Sequence, residues 1–299
     1  MPFSFHSHSG QFCRHAKGTL EEVVLAAIQK GFRVYGLTEH VPRYRTCDLY
    51  PEEVEADMTV EDLEKTFEEF VTEARRLRDK YREKITLLIG AETEYIVPED
   101  AKKSNHLKHV YSLDYLVGSV HHIQEIPLDF DLDTFERCLQ AFDHDNEKLI
   151  AAYFDAQYEM LYHTRPLVVG HIDLVRLWRS HWRFEEENWK RVERNIDFVI
   201  GYGGIFEINS RAWKKGLPDA YPFRDVLKCI LEKGGRITIS DDSHGPGDVG
   251  MHYDKLFTYL KEMGINSIHY LNLNKEGKTV IQELTNLDGD AFWTKLAQW

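Results

Sequence analysis

The chain has 299 residues, 42% hydrophobic and 29% charged, the balance of an ordinary globular protein long enough for a large core. Its net charge of -13 argues against a nucleic-acid partner, which needs a concentrated basic face, but leaves room for an anionic small substrate. No apolar run reaches the length of a membrane span, the first residues lack the basic and apolar regions of a secretory leader, and Cys13, Cys47, Cys138 and Cys229 show no CxxC spacing, so we expect a cytoplasmic protein with reduced thiols and no membrane partner.

Phe3 and Phe5 alternate with polar residues as in a short strand, which runs into His6-Ser-His8 and then, through a loop, His15. Period two places His6 and His8 on one face, where two imidazoles can chelate one ion. Thr19-Leu-Glu-Glu22 reads as a capping box, opening a helix that stops at Gly31. Val34–Leu37 reads as a buried strand ending in Thr38-Glu39-His40. Residues 59–83 carry a helical apolar stripe (Leu63, Phe67, Phe70, Val71, Ala74, Leu77) and a charged outer face. Ile85–Ile89 is the next strand, closed by Gly90-Ala-Glu92-Thr-Glu94.

Asp114–Val120 predicts another strand, ending in His121-His122, and a long helical region covers about 133–163. Pro166–Val169 leads to Gly170-His171-Ile-Asp173, and a helix rich in charge and tryptophan follows, to about Ile200. Gly204–Ile208 leads to Asn209-Ser-Arg211, and a helix from about Tyr221 ends at Gly234-Gly235. Arg236–Ile239 ends in Ser240-Asp241-Asp242-Ser243-His244. A last helix and an eighth strand (about 253–263 and 267–271) precede a tail ending at Trp299.

Strands and helices therefore alternate from end to end with no linker, the pattern of one α/β domain over residues 1–299. Six of the strands carry His, Glu or Asp at their C-terminal ends. A doubly wound sheet would gather its site at one switch point, usually beside a glycine-rich loop, and neither GxGxxG nor Walker A is present. An α/β barrel places its site where all its strands end, and we favour it.

The candidate ligands are His6, His8, His15, His40, Glu92, His121, His171, Asp242 and His244. Any one of them alone reads more simply as a histidine bonded to a carbonyl or a carboxylate capping a helix. Together they are too many for one tetrahedral ion and suit a cluster of two or three, with Glu92 bridging. Nitrogen and oxygen donors mixed in this way favour Zn, Mn or Fe over Mg or Ca. Such ions make hydroxide at neutral pH and clamp phosphoryl oxygens. A phosphate also calls for arginine: Arg176 and Arg211 follow predicted strands, and Arg43 follows His40. Other hydrolytic signatures fail. No cysteine has an arginine six positions on. Asp129-Phe-Asp131-Leu-Asp133 only approaches the aspartate-phosphatase motif and reads as a turn and helix cap. Neither GxSxG nor HExxH occurs.

Six motifs in order resemble the PHP (polymerase and histidinol phosphatase) family, and above all its fungal histidinol-phosphatase branch. They are His6-Ser-His8 with Phe12-Cys-Arg-His15, Thr38-Glu-His40, Gly90-Ala-Glu92, Gly118-Ser-Val-His121, Gly170-His-Ile-Asp173 and Asp242-Ser-His244. The resemblance implies a distorted (β/α)7 TIM-like barrel, one strand fewer than counted above, with a trinuclear metal centre. It assigns the first metal to His6, His8, Glu92 and Asp242, the second to Glu92, His121 and His171, and the third to His15, His40 and His244. It implies hydrolysis of L-histidinol phosphate, a step of histidine biosynthesis, by in-line attack of a metal-bridging hydroxide. Arg176 and Arg211 would be the phosphate clamps, and Asp242 and His244 would stand near enough to help the leaving alkoxide. Arg43 and Glu94 are further substrate-binding candidates, Glu94 either pairing with the substrate ammonium or supporting a metal ligand. Histidine order leaves His122 as the alternative to His121. Other small phosphate esters, or a non-catalytic metal-binding barrel, are the competing readings, and the oligomeric state is left open.

Overall fold

The computed structural model describes residues 2–290, 292, 293 and 296; the end of the tail at Trp299 lies outside them. Seven strands form one sheet in chain order: β1 (Phe3–Ser4), β2 (Val34–Leu37), β3 (Thr86–Glu92), β4 (Tyr115–Gly118), β5 (Val168–Val169), β6 (Ile205–Asn209) and β7 (Arg236–Ser240). Every neighbouring pair is parallel. Their side chains are buried on both faces, which is why the strands read as continuous apolar runs and not as alternation.

The crossovers carry α1 (Leu20–Gln29), α2 (Val60–Tyr81), α3 (Glu99–Val110), α4 (Leu132–Gln140), α5 (Asn146–Thr164), α6 (Glu186–Tyr202) and α7 (Arg224–Glu232), and α8 (Tyr253–Glu262) follows β7. The capping box at Thr19 is formed: Glu22 N–H donates to Thr19 Oγ1 at 3.2 Å, and Thr19 N–H donates to Glu22 Oε2 at 2.7 Å. The apolar stripe of α2 is buried along its length, each large side chain contributing roughly 1.5–3 kcal/mol. Among the described residues no helix is long and apolar enough to cross a membrane.

The ring is nearly closed. The first strand is too short for a full ladder with the last, and its continuation makes the join: Ser7–His8 pairs in parallel with Ser243–His244. Beneath that join Ser4 Oγ and the Tyr35 hydroxyl donate to Asp241, at 2.8 and 3.1 Å. The barrel interior is tight at Gly36, where a Cβ would collide with the Tyr115 hydroxyl and approach Phe5 Cα to 2.9 Å. That hydroxyl donates to the Phe5 carbonyl at 2.9 Å, so the missing side chain lets β4 reach β1 across the barrel.

Three expectations change. The eighth predicted strand is not in the barrel. It is β8 (Ser267–Leu273), paired antiparallel with β9 (Thr279–Thr285), and its Tyr270 stacks on Phe3 at 5.2 Å. Its partner was passed over, although alternation in Thr279–Thr285 after a turn with Gly277 at φ +74° is a hairpin signal. The helical region 133–163 is two helices, because Asp143 and His144 adopt left-handed backbone angles that no helix continues through. The segment after His171 becomes helical only at Glu186, after a 3-10 turn at Leu174–Arg176.

Candidate metal centre

Glu92 ends β3 and sits among the imidazoles. Its Oε1 lies 3.0 Å from His6 Nε2, 3.1 Å from His171 Nε2 and 3.3 Å from His121 Nε2. Its Oε2 lies 3.1 Å from His40 Nδ1 and 3.3 Å from His8 Nε2. Asp242 Oδ1 is 3.7 Å from Nε2 of both His6 and His8. The Asp242 backbone has φ +46°, a conformation that costs a non-glycine residue free energy and here aims the carboxylate. On the outer side His15, His40 and His244 bring ring nitrogens within 4.8 Å of one another. Ligand atoms of His6, His8 and Asp242, and of His6, Glu92 and His171, converge within the same spacing.

His6 Nε2, His8 Nε2, His40 Nε2 and His171 Nδ1 are buried without a hydrogen-bond partner. An unsatisfied buried polar atom costs roughly 1–3 kcal/mol, so unpartnered imidazole nitrogens gathered around Glu92 and Asp242 fit divalent metals in this donor set. Without metal, charge is shared unevenly. Burial opposes protonation of His8, but the adjacent carboxylates of Glu39 and Glu92 override it and lift its pKa to about 9. Burial likewise opposes charge on His6 and His121, and carboxylates led by Glu92 raise both well above the usual value. His40 and His244 are pushed down by burial and by the charge of His8. Burial would raise Glu92, yet His6, His121 and His40 hold it well below the usual carboxylate range.

Outside the ligands stands a set of carboxylates that turn the rings. Glu207, in the middle of β6, lies 3.1 Å from His6 Nδ1 and accepts from His171 N–H at 2.8 Å and Ser240 Oγ at 2.6 Å. Glu39 lies 3.5 Å from His8 Nδ1. Glu52, on a short helix that was not foreseen, lies 3.0 Å from His15 Nδ1. None of the three was foreseen, although a carboxylate inside an apolar strand such as Ile205–Asn209 is itself a signal: it is too costly to bury unpaired. Glu94 belongs with them. It is buried, 2.9 Å from His40 Nδ1 and 3.3 Å from His121 Nδ1, and is absent from the wall of the cleft, so it meets these two rings and not the open space.

The cluster opens into a cleft of about 790 Å³, its mouth included. Six of the seven imidazoles line it (His8, His15, His40, His121, His171, His244), with Glu92, Asp242 and Arg211; His6 lies buried behind. His121 faces the cleft, while His122 packs against Tyr50 at 5.8 Å between ring centres. Arg211 stands at its edge, held by its Nη1 donating to the Asp242 carbonyl at 3.1 Å and Asp248 at 3.3 Å. Arg176 does not reach the cleft. It is fully buried, donates twice to Asp225 at 2.6 and 2.9 Å and lies 3.8 Å over the Phe184 ring, because the turn after His171 directs it under the barrel rim. Arg43 is likewise committed, paired with Glu53 and stacked on Tyr50 at 4.7 Å. Tyr50, Asp129, Phe130, Lys215 and Tyr221 complete the wall, none of them foreseen as site residues.

A seven-stranded parallel barrel whose C-terminal mouth gathers imidazoles and carboxylates around buried unpaired nitrogens defines the class: an α/β barrel with a divalent-metal site. The profile of the PHP domain matches residues 4–211, and the chain belongs to the PHP family. It is 44% identical to the "Probable histidinol-phosphatase" of Schizosaccharomyces pombe, over 99% of this chain and 97% of that one. It is 30% identical to the histidinol-phosphatase of Saccharomyces cerevisiae, over 98% and 99%. The histidinol phosphate phosphatase of Lactococcus lactis, solved with Zn, L-histidinol and phosphate, shares the fold at TM-score 0.65 and 20% identity, covering 89% of this chain and 95% of that one.

Proposed function

We propose that this chain is a metal-dependent phosphomonoesterase that hydrolyses L-histidinol phosphate to L-histidinol and phosphate, in the cytoplasm, with two to three divalent ions (Zn, Mn or Fe). The observation that carries the reading is the gathering of seven imidazoles, Glu92 and Asp242 at one mouth of the barrel, six of the imidazoles lining a cleft with Arg211 at its edge. The choice of substrate rests on the two relatives matched over nearly their whole length.

His6, His8, Glu92 and Asp242 would hold one ion, Glu92, His121 and His171 a second, and His15, His40 and His244 a third. Bound there, the ions supply a hydroxide at neutral pH and neutralise phosphoryl oxygens. Arg211 orients the phosphate through the guanidinium nitrogens not spent on Asp242 and Asp248. Asp242 and His244 both line the cleft and would stand near enough to the leaving oxygen to help its departure through the ions they hold. Glu39, Glu52, Glu94 and Glu207 fix the tautomer and tilt of the rings, so the ligands need little rearrangement. The acidic chain and narrow cleft favour a small phosphate ester over nucleic acid.

Phosphate release from L-histidinol phosphate, with metals quantified in the same sample, tests the reading. Efficient turnover with two or three metals per chain supports it. A better substrate among other phosphate esters would reassign the enzyme within its family, and metal without turnover on any ester would leave a binding barrel.

A further inference from the structure

The wall of the cleft carries charge of both signs. Arg211 and Lys215 are cationic, and Asp129 is anionic and half-buried. Glu92 and Asp242 are enclosed by imidazoles, but among the described residues Asp129 has neither a hydrogen-bond partner nor an ion-pair partner. Its neighbours are all spent on structure. Leu128 N–H donates to the His121 carbonyl at 2.8 Å, and its own carbonyl accepts from Trp178 Nε1 at 3.0 Å. Asp131 caps α4, its Oδ1 accepting from Thr134 N–H at 2.7 Å. The backbone is therefore pinned on either side of Asp129, and an otherwise uncommitted carboxylate is presented from a fixed support.

Beside it lies an aromatic wall. The Tyr50 ring stacks on Phe130 with centres 6.2 Å apart and planes 13° apart. The Tyr50 hydroxyl donates to Glu94 at 3.2 Å, which ties this wall to the carboxylate that supports His40 and His121. Phe130 is 40% exposed, large apolar area left at the mouth of a polar cleft. The wall and Asp129 line the same cleft as His121, and the Tyr50 ring lies 5.8 Å from the ring of the adjoining His122.

We infer that Asp129 selects the ammonium group of the substrate, while Phe130 and Tyr50 form the face on which its imidazole ring packs. This rests on the histidinol phosphate reading above and specifies it. The substrate carries a phosphate, an ammonium and an aromatic ring on one short chain. The cleft offers metals with Arg211, a free carboxylate and an aromatic face. A carboxylate–ammonium bond in a partly buried site is a charge-assisted one, stronger than a neutral bond. Asp129 is here a specificity residue: it takes no part in the phosphoryl chemistry.

The test compares wild type, Asp129→Asn and Asp129→Glu on L-histidinol phosphate and on its des-amino analogue, 3-(imidazol-4-yl)propyl phosphate. Asp129→Asn is expected to raise KM for L-histidinol phosphate about tenfold or more, with kcat little changed. The same variant is expected to leave KM for the des-amino ester and the bound metal unchanged, and Asp129→Glu to recover part of the loss. Phe130→Ala is expected to raise KM for both imidazole esters and not for β-glycerol phosphate. An equal rise on both imidazole esters in Asp129→Asn, or no rise on L-histidinol phosphate, would overturn the inference while leaving the enzyme's assignment intact. Wild type that fails to prefer L-histidinol phosphate to the other esters would overturn the substrate reading, and this inference with it.

Discussion

Glu207 and His6 are joined at 3.1 Å through Nδ1 of the ring, and the Nε2 of the same ring lies 3.0 Å from Glu92. One imidazole thus links a carboxylate inside the barrel to the carboxylate at the heart of the cluster. Glu207→Gln keeps the volume and removes the charge that fixes the ring. Loss of such an outer partner costs roughly 10–100-fold in metal affinity or activity. Metal content after dialysis should fall in this variant, and excess metal should restore part of the activity. Full metal retention with unchanged activity would remove Glu207 from the centre.

The two arginines should part company. Arg211→Ala is expected to lower kcat/KM by roughly a hundredfold or more, at unchanged metal content and nearly unchanged thermal midpoint. Arg176→Ala leaves the buried Asp173 and the partly exposed Asp225 without their cation, a loss of roughly 2–4 kcal/mol of stability. Thermal denaturation and steady-state kinetics on both variants separate the roles. An Arg176 variant that folds as well as wild type but binds substrate poorly would restore it to the phosphate site.

Metal loading should release protons. In the metal-free chain His8 is charged below about pH 9, and His6 and His121 are raised well above their usual values. Each must lose one proton before an ion binds through the ring nitrogen that now faces Glu92. Affinity should therefore fall as pH drops below about 9, tenfold per unit for each proton released. The sign for folding is opposite. The raised pKa of His8 stabilises the metal-free chain fully below about pH 6.5, and that contribution disappears as pH rises through about 9. Calorimetric titration in buffers of different ionisation enthalpy counts the protons; a zero slope would contradict the charge pattern.

Gly36→Ala should destabilise the barrel. The added methyl meets the Tyr115 hydroxyl and Phe5 Cα, and overpacking of this kind costs roughly 1–3 kcal/mol. Tyr115→Phe removes one of the two obstacles, so the double variant should recover part of the loss in denaturant unfolding. No recovery would place the strain at Phe5 alone.

The alternation of strand and helix, and the habit of ending strands in His, Glu or Asp, are local properties, and they were enough to predict a barrel with its site at the C-terminal mouth. Motif spacing brought in every imidazole that the structure gathers, because all but His15, which sits on the loop after Ser7–His8, lie on or within a few residues of a buried strand that fixes where they point. Strand membership was less legible. Ser267–Leu273 has the composition of a barrel strand, and only its antiparallel partner and its contact with Phe3 place it outside the ring.

What the sequence alone determined is therefore the class of fold and which imidazoles and carboxylates gather at one mouth of the barrel, since both follow from periodicity and from residues adjacent in the chain. Tertiary structure decided the rest. Arg176 and Arg211 both follow a barrel strand, yet one is buried against Asp225 and the other borders the cleft. Glu207, Glu39 and Glu52 turn rings that lie 201, 31 and 37 residues away or nearer to them in the chain. Asp129 remains uncommitted because its neighbours were used elsewhere. Whether a charged side chain supports a ligand, pairs in the interior or meets a substrate depends on partners supplied by other strands, and the barrel must close before they meet.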